Sequence, residues 1–486
     1  MINWKIIYKV IGQLLFLEAT LMFYCTILSF CYREDDSLAF VVSTITTVLA
    51  GFILKILGRK EASNNLSRRE AYLVVALTWV VFSLFGTLPF MISGYITNFT
   101  DAYFETMSGF TTTGATIIDS VEILPHGLLF WRSLSQWIGG LGIVFFTIAL
   151  LPSLVGGNVR IFAAEATGPI KSKLHPRLST SAKWIWLVYI ILTIGCTLGY
   201  YIGGMNVFDS INYAMTTTAT GGFATHDTSI EFFNSKTIEY VCIIFTFLSG
   251  TNFTLLYFSL SKLRFKELWK NSEFRLYLFS ILFFSTFIAV ELIIRNHYHL
   301  EYAIRCGLFQ VVSFMTTTGL FNDNAGTWPH VTWIALAVCM FLGGSSGSTA
   351  GGFKSIRGVM ILKIIHNELK QILHPNAVLP LKVDGTNVPN QKRVTLLAYL
   401  ATYIILFMIS SFVMTAAGID YVNSTTITLS AIGNVGPSLG MPIGPTMSWS
   451  SLPDFAKWIC SLMMLVGRLE IFTVLVIFTP QFWRGR

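Results

Sequence analysis

Ten stretches of the chain are long and apolar enough to cross a bilayer, and they leave little sequence for anything else. They lie near residues 10–31, 38–57, 70–93, 128–152, 184–204, 237–260, 274–295, 331–365, 394–417 and 457–479. A helix needs about 20 mostly apolar residues to cross the hydrocarbon. Shorter apolar segments fall between some of them, near 100–111, 206–218, 301–316 and 422–433; runs of that length suit re-entrant helices. Charged residues make up only 12% of the chain, about half the share in a soluble domain. The sequence therefore predicts an all-α polytopic membrane protein. The first stretch is too long for a signal peptide and lacks a small-residue cleavage site, so it reads as an anchor.

The net charge of +8 does not point to nucleic acid, because the basic residues sit in short loops between apolar stretches. Lys5, Lys9, Lys55, Arg59, Lys60, Arg68 and Arg69 fall on one side. Arg160, Lys171, Lys173, Arg177, Lys183, Lys262, Arg264, Lys266, Lys270 and Arg275 join them, as do Arg357, Lys363, Lys370, Lys382, Lys392, Arg393, Arg484 and Arg486. They share a side if the number of spans is even and the short segments return to the side they left. The positive-inside rule places that side, with both termini, in the cytoplasm. Asp101, Asp119, Glu122, Asp209, Asp227, Glu231, Asp323 and Asp420 then face outward. The seven cysteines form no CxxC pair, which indicates buried reduced thiols rather than a disulfide frame or a metal site.

After the first two spans the order becomes span, short helix, span, four times over. Each short helix runs into a related string: Thr111-Thr112-Thr113-Gly114, Thr218-Ala219-Thr220-Gly221, Thr316-Thr317-Thr318-Gly319 and Gly433-Asn434-Val435-Gly436. One such string reads as a helix cap. Four, each following a short helix between two spans, read as an internal repeat. The expected organisation is two N-terminal transmembrane helices in 1–69, then pore repeats in 70–160, 161–265, 266–380 and 381–486.

Irregular backbone at membrane depth must be buried in protein or line a water-filled cavity. Four such strings can converge on one axis, where stacked carbonyl oxygens replace the water around a dehydrated cation. Glycine lets the backbone take the positive φ this requires. The negative ends of four helix dipoles would point at the same axis, and acidic outer loops would enrich cations at the mouth. An oxygen cage of this kind suits a large, weakly hydrated ion such as potassium.

At these strings the chain resembles the Trk/Ktr/HKT superfamily of potassium transport proteins, over about residues 70 to 479. The two extra N-terminal spans and the length point to its TrkH/TrkG branch. Two further strings match, Gly343-Gly344-Ser345-Ser346-Gly347-Ser348-Thr349-Ala350-Gly351-Gly352-Phe353-Lys354 and Gly467-Arg468-Leu469-Glu470-Ile471. The resemblance implies potassium uptake across a bacterial inner membrane by a homodimer with one pore per subunit. It also implies a cytoplasmic TrkA-type nucleotide-binding regulatory subunit. It marks Gly114, Gly221, Gly319 and Gly436 as filter glycines. A serine at the first of these goes with sodium transport in the HKT group. The fourth string lacks Thr-Thr-Gly, so the filter is only pseudo-fourfold.

Residues Gly343 to Gly352 include five glycines in the middle of an apolar span. Each costs about 1 kcal/mol in a helix relative to alanine, so the helix should break. The break reads either as a mobile loop obstructing the pore or as close helix packing through small residues; the resemblance, in which this loop is an intramembrane gate, favours the first. Arg468 and Glu470 lie at membrane depth, where charge by default marks function. Arg468 either faces the pore below the filter or joins a structural salt bridge, with Glu470 toward neighbouring helices. Lys354 is expected to snorkel toward the cytoplasm. Glu105 would bond backbone behind the filter or add charge to the mouth, whereas Glu18 and Glu291 are assigned only helix packing. His226, His297, His299 and His330 read as ordinary outer-loop residues.

Two rival classes compete with this reading. A potassium symporter coupled to protons or sodium also uses broken helices, but it does not need four filter strings. A membrane enzyme needs a catalytic constellation in its spans, and these have no HExxH, no paired aspartates and no serine–histidine arrangement. The sequence also lacks a P-loop and a GxGxxG after a strand, so any nucleotide control must come from a partner; potassium, on the strength of the four strings, is the expected ligand, with no organic cofactor in this chain and lipid as its surroundings.

Overall fold

The computed structural model describes residues 2–59, 66–140, 142, 178–261, 266–440 and 443–484. The described chain is almost entirely helical. Its one strand pair is the ribbon β1 (Lys382–Val383) and β2 (Thr386–Asn387), turned by Asp384-Gly385, both at positive φ. The expected span 128–152 is covered only in its first half. The remainder, together with Lys60, Arg160, Lys171, Lys173, Arg177, Lys262, Arg264 and Arg486, lies outside the described residues.

Helices α1 (Trp4–Tyr32) and α2 (Ser37–Leu57) form a hairpin. Its helices cross where Gly12 meets Gly51, and a Cβ on Gly12 would stand 2.8 Å from the Gly51 carbonyl oxygen. The first repeat follows as α3 (Arg68–Gly86), α4 (Leu88–Ser93), α5 (Phe99–Phe110) and α6 (His126–Gly140). The second is α7 (Leu178–Ile202), α8 (Val207–Thr218), α9 (Lys236–Ser249) and α10 (Phe253–Ser261). After α11 (Lys266–Lys270) comes the third, α12 (Ser272–Asn296), α13 (Leu300–Met315), α14 (His330–Leu342) and α15 (Ser355–Leu373). The fourth is α16 (Asn390–Ala416), α17 (Tyr421–Gly433), α18 (Asp454–Arg468) and α19 (Phe472–Leu475), before the terminal α20 (Pro480–Trp483).

Of the four short helices, α5, α8, α13 and α17, the first, second and fourth start where their sequences cap them. Asn98, Asn206 and Asp420 accept first-turn N–H groups through their side chains, satisfying donors that otherwise have no partner at a helix start. The repeats then close into a ring by one rule: the second long helix of each repeat packs against the short helix of the next. Thus α6 packs on α8, α9 on α13, α14 on α17, and α18 back on α5. Small residues permit this approach. A Cβ on Gly139 of α6 would collide with the Phe110 carbonyl at the end of α5, and one on Gly140 would stand 2.8 Å from the Ala219 Cα.

Three expected spans are not continuous helices. The span 331–365 breaks at Gly343, as its glycines required. The span 237–260 bends by 103° between α9 and α10, and 457–479 bends by 107° after α18. Neither of these two bends was expected. At the second, Glu470 and Ile471 both take positive φ, 61° and 28°, so Arg468 and Glu470 flank a corner rather than share a helix. The broken ends all gather beneath the short helices.

The closing contact of the ring, α18 on α5, carries a salt bridge between Lys457 and Asp101 at 2.6 Å. Lys457 is 4% exposed, and Asp454 stands 4.0 Å from its ammonium. Removing one member of such a pair leaves a buried charge unpaired. Asp101→Asn should destabilise the purified protein by about 3 kcal/mol, seen as a lower melting temperature in detergent. Adding Lys457→Met should recover part of the loss, and an unchanged melting temperature for Asp101→Asn would show that the pair does not hold the ring closed.

Candidate functional site

Each short helix runs into the same backbone path. After α5, the N–H groups of Thr111, Thr112 and Thr113 reach back to the carbonyls of Met107, Gly109 and Ser108 at 2.9, 3.0 and 2.9 Å. Thr316, Thr317 and Thr318 repeat this ladder on Val312, Phe314 and Ser313. In the second repeat the ladder runs through Ala219, Thr220 and Gly221, and in the fourth through Asn434 and Val435. Left-handed backbone recurs at matching places: Thr112, Thr220, Thr317 and Asn434 at φ 53°, 53°, 58° and 54°, then Gly114, Gly222, Gly319 and Gly436 at 84°, 80°, 81° and 99°.

This register corrects the second string by one residue. Ala219, Thr220, Gly221 and Gly222 are the structural equivalents of Thr111 to Gly114, and Thr218 is the last residue of α8. The sequence offers two glycines in a row, and alignment from the threonines stops at the first. The backbone needs positive φ at the second.

The four strands meet. A Cβ on Gly114 would collide with the Gly221 carbonyl oxygen, and one on Gly222 with that of Thr318. On Gly319 it would stand 2.5 Å from the Val435 carbonyl oxygen, and on Gly436 2.5 Å from that of Thr113. Each strand thus abuts the next, in order, and the last abuts the first. Left-handed conformation at a threonine costs of order 1–3 kcal/mol and persists only where surroundings enforce it. The ladders on the short helices provide that enforcement.

Behind the first strand, Glu105 accepts the Ile117 N–H and the Thr116 hydroxyl, both at 3.0 Å, and Arg132 Nε at 2.8 Å. Of its two expected roles it takes the first, bonding backbone behind the strand. Arg132 also donates to the Ala224 carbonyl at 3.0 Å and lies 4.2 Å over the Phe223 ring. Arg132 was not singled out in the sequence, although a lone charge within an apolar run was the available signal.

Above the ring opens a vestibule lined by Thr116, Asp119, His226, Asp227 and Trp449. Hydrogen bonds from Ser448 and Ser450 hold the Asp119 carboxyl below the usual carboxylate range. His226 is not an ordinary loop residue. Its ring stacks on Phe232 and bridges Asp209 at 3.3 Å and Glu122 at 3.2 Å. Burial opposes its protonation, but the two carboxylates outweigh burial and raise its pKa.

Below the ring lies the loop between α14 and α15. The Thr349 hydroxyl donates to the Thr218 carbonyl at 3.1 Å, and the Gly351 N–H to the Thr317 hydroxyl at 2.6 Å. The Gly352 N–H bonds the Gly433 carbonyl at 2.8 Å. The loop is therefore tied to three of the four strand bases. Arg468 donates to the Thr349 carbonyl at 3.0 Å and to those of Gly140 (2.9 Å) and Gly139 at the end of α6. Glu470 pairs instead with Arg357, whose guanidinium lies 4.0 Å over the Tyr399 ring. Lys354 does not snorkel: it is 6% exposed, and its ammonium bonds the Ala350 carbonyl inside the loop. The loop's fold turns the side chain inward, with Lys354 itself at φ 76°. Among the remaining acids, Glu291 pairs with Arg295 at 2.9 Å, and Glu18 is fully buried in α1.

The TrkH family, described as cation transport protein, matches residues 37–484. The chain belongs to that family. It is similar to the Trk system potassium uptake protein TrkH of Halomonas elongata, with 38% identity over 99% of both chains. TrkH of Escherichia coli K12 is 36% identical over 99% of this chain and 100% of its own. The crystal structure of the potassium transporter TrkH from Vibrio parahaemolyticus superposes with a TM-score of 0.89 at 32% identity, covering 99% of this chain and 100% of that one. Membership of this transport family also decides against a membrane enzyme.

His226 makes the vestibule pH-sensitive in a definite direction. Its raised pKa keeps the added positive charge to a higher pH than an ordinary histidine, and that charge leaves as the pH on the vestibule side rises. Cation flux at limiting concentration on that side should therefore increase from pH 5.5 toward pH 8, about twofold to fivefold through local concentration. His226→Asn should flatten the profile. A variant profile as steep as the parent's would assign the dependence elsewhere.

Proposed function

We propose that this chain takes up potassium through a selectivity filter of main-chain carbonyls. The filter is formed by Thr111–Gly114, Ala219–Gly222, Thr316–Gly319 and Gly433–Gly436. The observation that carries this reading is the cyclic contact of four left-handed glycines with their neighbours' carbonyls. A potassium ion sheds its hydration shell where oxygens replace it from all sides, and the closed ring supplies backbone from four quadrants. The relatives' names support potassium as the ion. The repeat boundaries near 70, 161, 266 and 381 belong to the same reading.

The loop Gly343–Gly352 acts as the gate. In this conformation its hydrogen bonds to Thr218, Thr317 and Gly433 hold it against the inner end of the filter. Arg468 both clamps the loop and sets a positive charge beneath the filter, which disfavours a cation there. Opening must exchange these bonds for others, so the element that moves is the loop rather than the filter. The bacterial inner membrane, cytoplasmic termini, a homodimer and a TrkA-type cytoplasmic partner complete the proposal. The basic loops support the orientation, and the relatives' designation as part of a Trk system supports a partner.

Proteoliposome flux tests both parts. Gly114→Ser imposes left-handed strain of about 1–3 kcal/mol and a collision with the next strand, so potassium-over-sodium discrimination should fall roughly tenfold or more. Excising Ser346–Ser348 should raise resting potassium flux. Discrimination untouched by the first variant would remove the filter, and gating untouched by the second would remove the gate. Broken helices at mid-depth also suit a symporter coupled to protons or sodium; potassium flux that halts without a second ion's gradient would favour that mechanism.

A further inference from the structure

The four filter strands are braced differently. In strands one and three, hydroxyl pairs tie the strand to itself: Thr111 to Thr113 and Thr316 to Thr318, both at 2.8 Å. The lower hydroxyl of each pair also bonds its own short helix, at Met107 (2.6 Å) and Val312 (2.7 Å). Strand four lacks both hydroxyls, having Gly433 and Val435 there. Its Asn434 amide compensates by donating to the Thr113 hydroxyl at 3.0 Å and to the Met464 carbonyl at 2.9 Å. Strand two also lacks the pair, because its equivalents are Ala219 and Gly221. Its remaining hydroxyl, on Thr220, bonds the adjacent Ala219 carbonyl at 2.6 Å.

We propose that Gln136, on α6 of the first repeat, is the positioning residue that braces the second filter strand and sets its part of ion discrimination. The proposal rests on the filter reading above. Gln136 is fully buried. Its Nε2 donates to the Gly221 carbonyl at 2.8 Å, and its Oε1 accepts the Phe223 N–H at 3.0 Å. A Cβ on Gly221 would collide with this amide, so the glutamine occupies the room a side chain at 221 would take. One helical turn earlier, Arg132 holds Ala224 and covers Phe223. Two side chains of one repeat thus fix the strand of the next.

Two physical effects follow. Gly221-Gly222 is the most pliable pair in the ring, since neither residue has a Cβ to restrict it; without the amide, no side chain holds its first carbonyl. Among the described residues, the equivalent carbonyls of Thr113, Thr318 and Val435 receive no side-chain N–H. Gln136 therefore also makes the second quadrant electrostatically distinct, by sharing the Gly221 oxygen between an ion and an amide. A softened strand can close around a smaller ion, so losing Gln136 should admit sodium while potassium still passes.

The test is the ratio of potassium to sodium flux in proteoliposomes for the full chain. Gln136→Ala should lower the ratio about tenfold, the scale of one lost buried hydrogen bond, with potassium flux retained. Adding A219T and G221T to Gln136→Ala rebuilds the hydroxyl pair of strands one and three in the vacated space, and should restore most of the ratio. If the alanine variant does not elute as folded protein, Gln136→Met serves instead: it keeps the approximate size, loses the N–H donor, and should lower the ratio likewise. A ratio unchanged by the folded variant, or equal loss of both fluxes, overturns the role of Gln136. Gly222→Ala in the same assay separates the two claims. If it lowers the ratio while the Gln136 variants do not, only this inference falls; if neither moves it, the filter reading falls as well.

Discussion

Four strands of main chain can crowd one axis only where no Cβ stands between them, and much of this molecule follows from that. The left-handed residues Gly114, Gly222, Gly319 and Gly436 each lie against a carbonyl of the neighbouring strand. The preceding left-handed positions hold Thr112, Thr220, Thr317 and Asn434, three of them β-branched, so the path is strained and needs a scaffold. Capped short helices supply it through their hydrogen-bond ladders. The long helices in turn hold the short ones, each inner helix packing on the short helix of the next repeat. The same short helices aim their negative ends inward, so the scaffold that fixes the strands also favours a cation between them.

Fourfold arrangement does not mean fourfold sequence. Glu105 and Arg132 form a buried pair behind the first strand, Arg305 and Glu239 form another between the second and third repeats, and Lys457 with Asp101 joins the fourth to the first. Each pair is costly to take out of water and costlier still to break. The second and third pairs link one repeat to the next, and the first holds α6 against α5 within its own repeat. Beneath the ring, the α14–α15 loop is held by hydrogen bonds to the strand bases and by Arg468.

Much of this was legible in the sequence. The four short helices begin and end within a residue or two of the expected bounds, because Asn98, Asn206 and Asp420 cap three of them and the left-handed strings end all four. Glycines at 343, 347 and 352 broke their span as expected and adopt positive φ. What escaped depended on three-dimensional partners. The register of the second strand hinged on which of two adjacent glycines is left-handed, and only the ladder to α8 distinguishes them. The fate of Lys354 depended on a loop folding back over it, and the corner at Glu470 faces Arg357 of another repeat. Arg132 and Gln136 lie within one apolar stretch. Their significance comes from a strand of the next repeat, nearly ninety positions away in sequence.

The most direct measurement is anomalous diffraction from crystals soaked in thallium or rubidium salts, which mark potassium sites. On this account, peaks fall on the axis enclosed by the strands that end at Gly114, Gly222, Gly319 and Gly436, and they fade when sodium replaces the heavy ion. An axis without peaks, with the ion bound instead among the broken helices below Thr349, would contradict it.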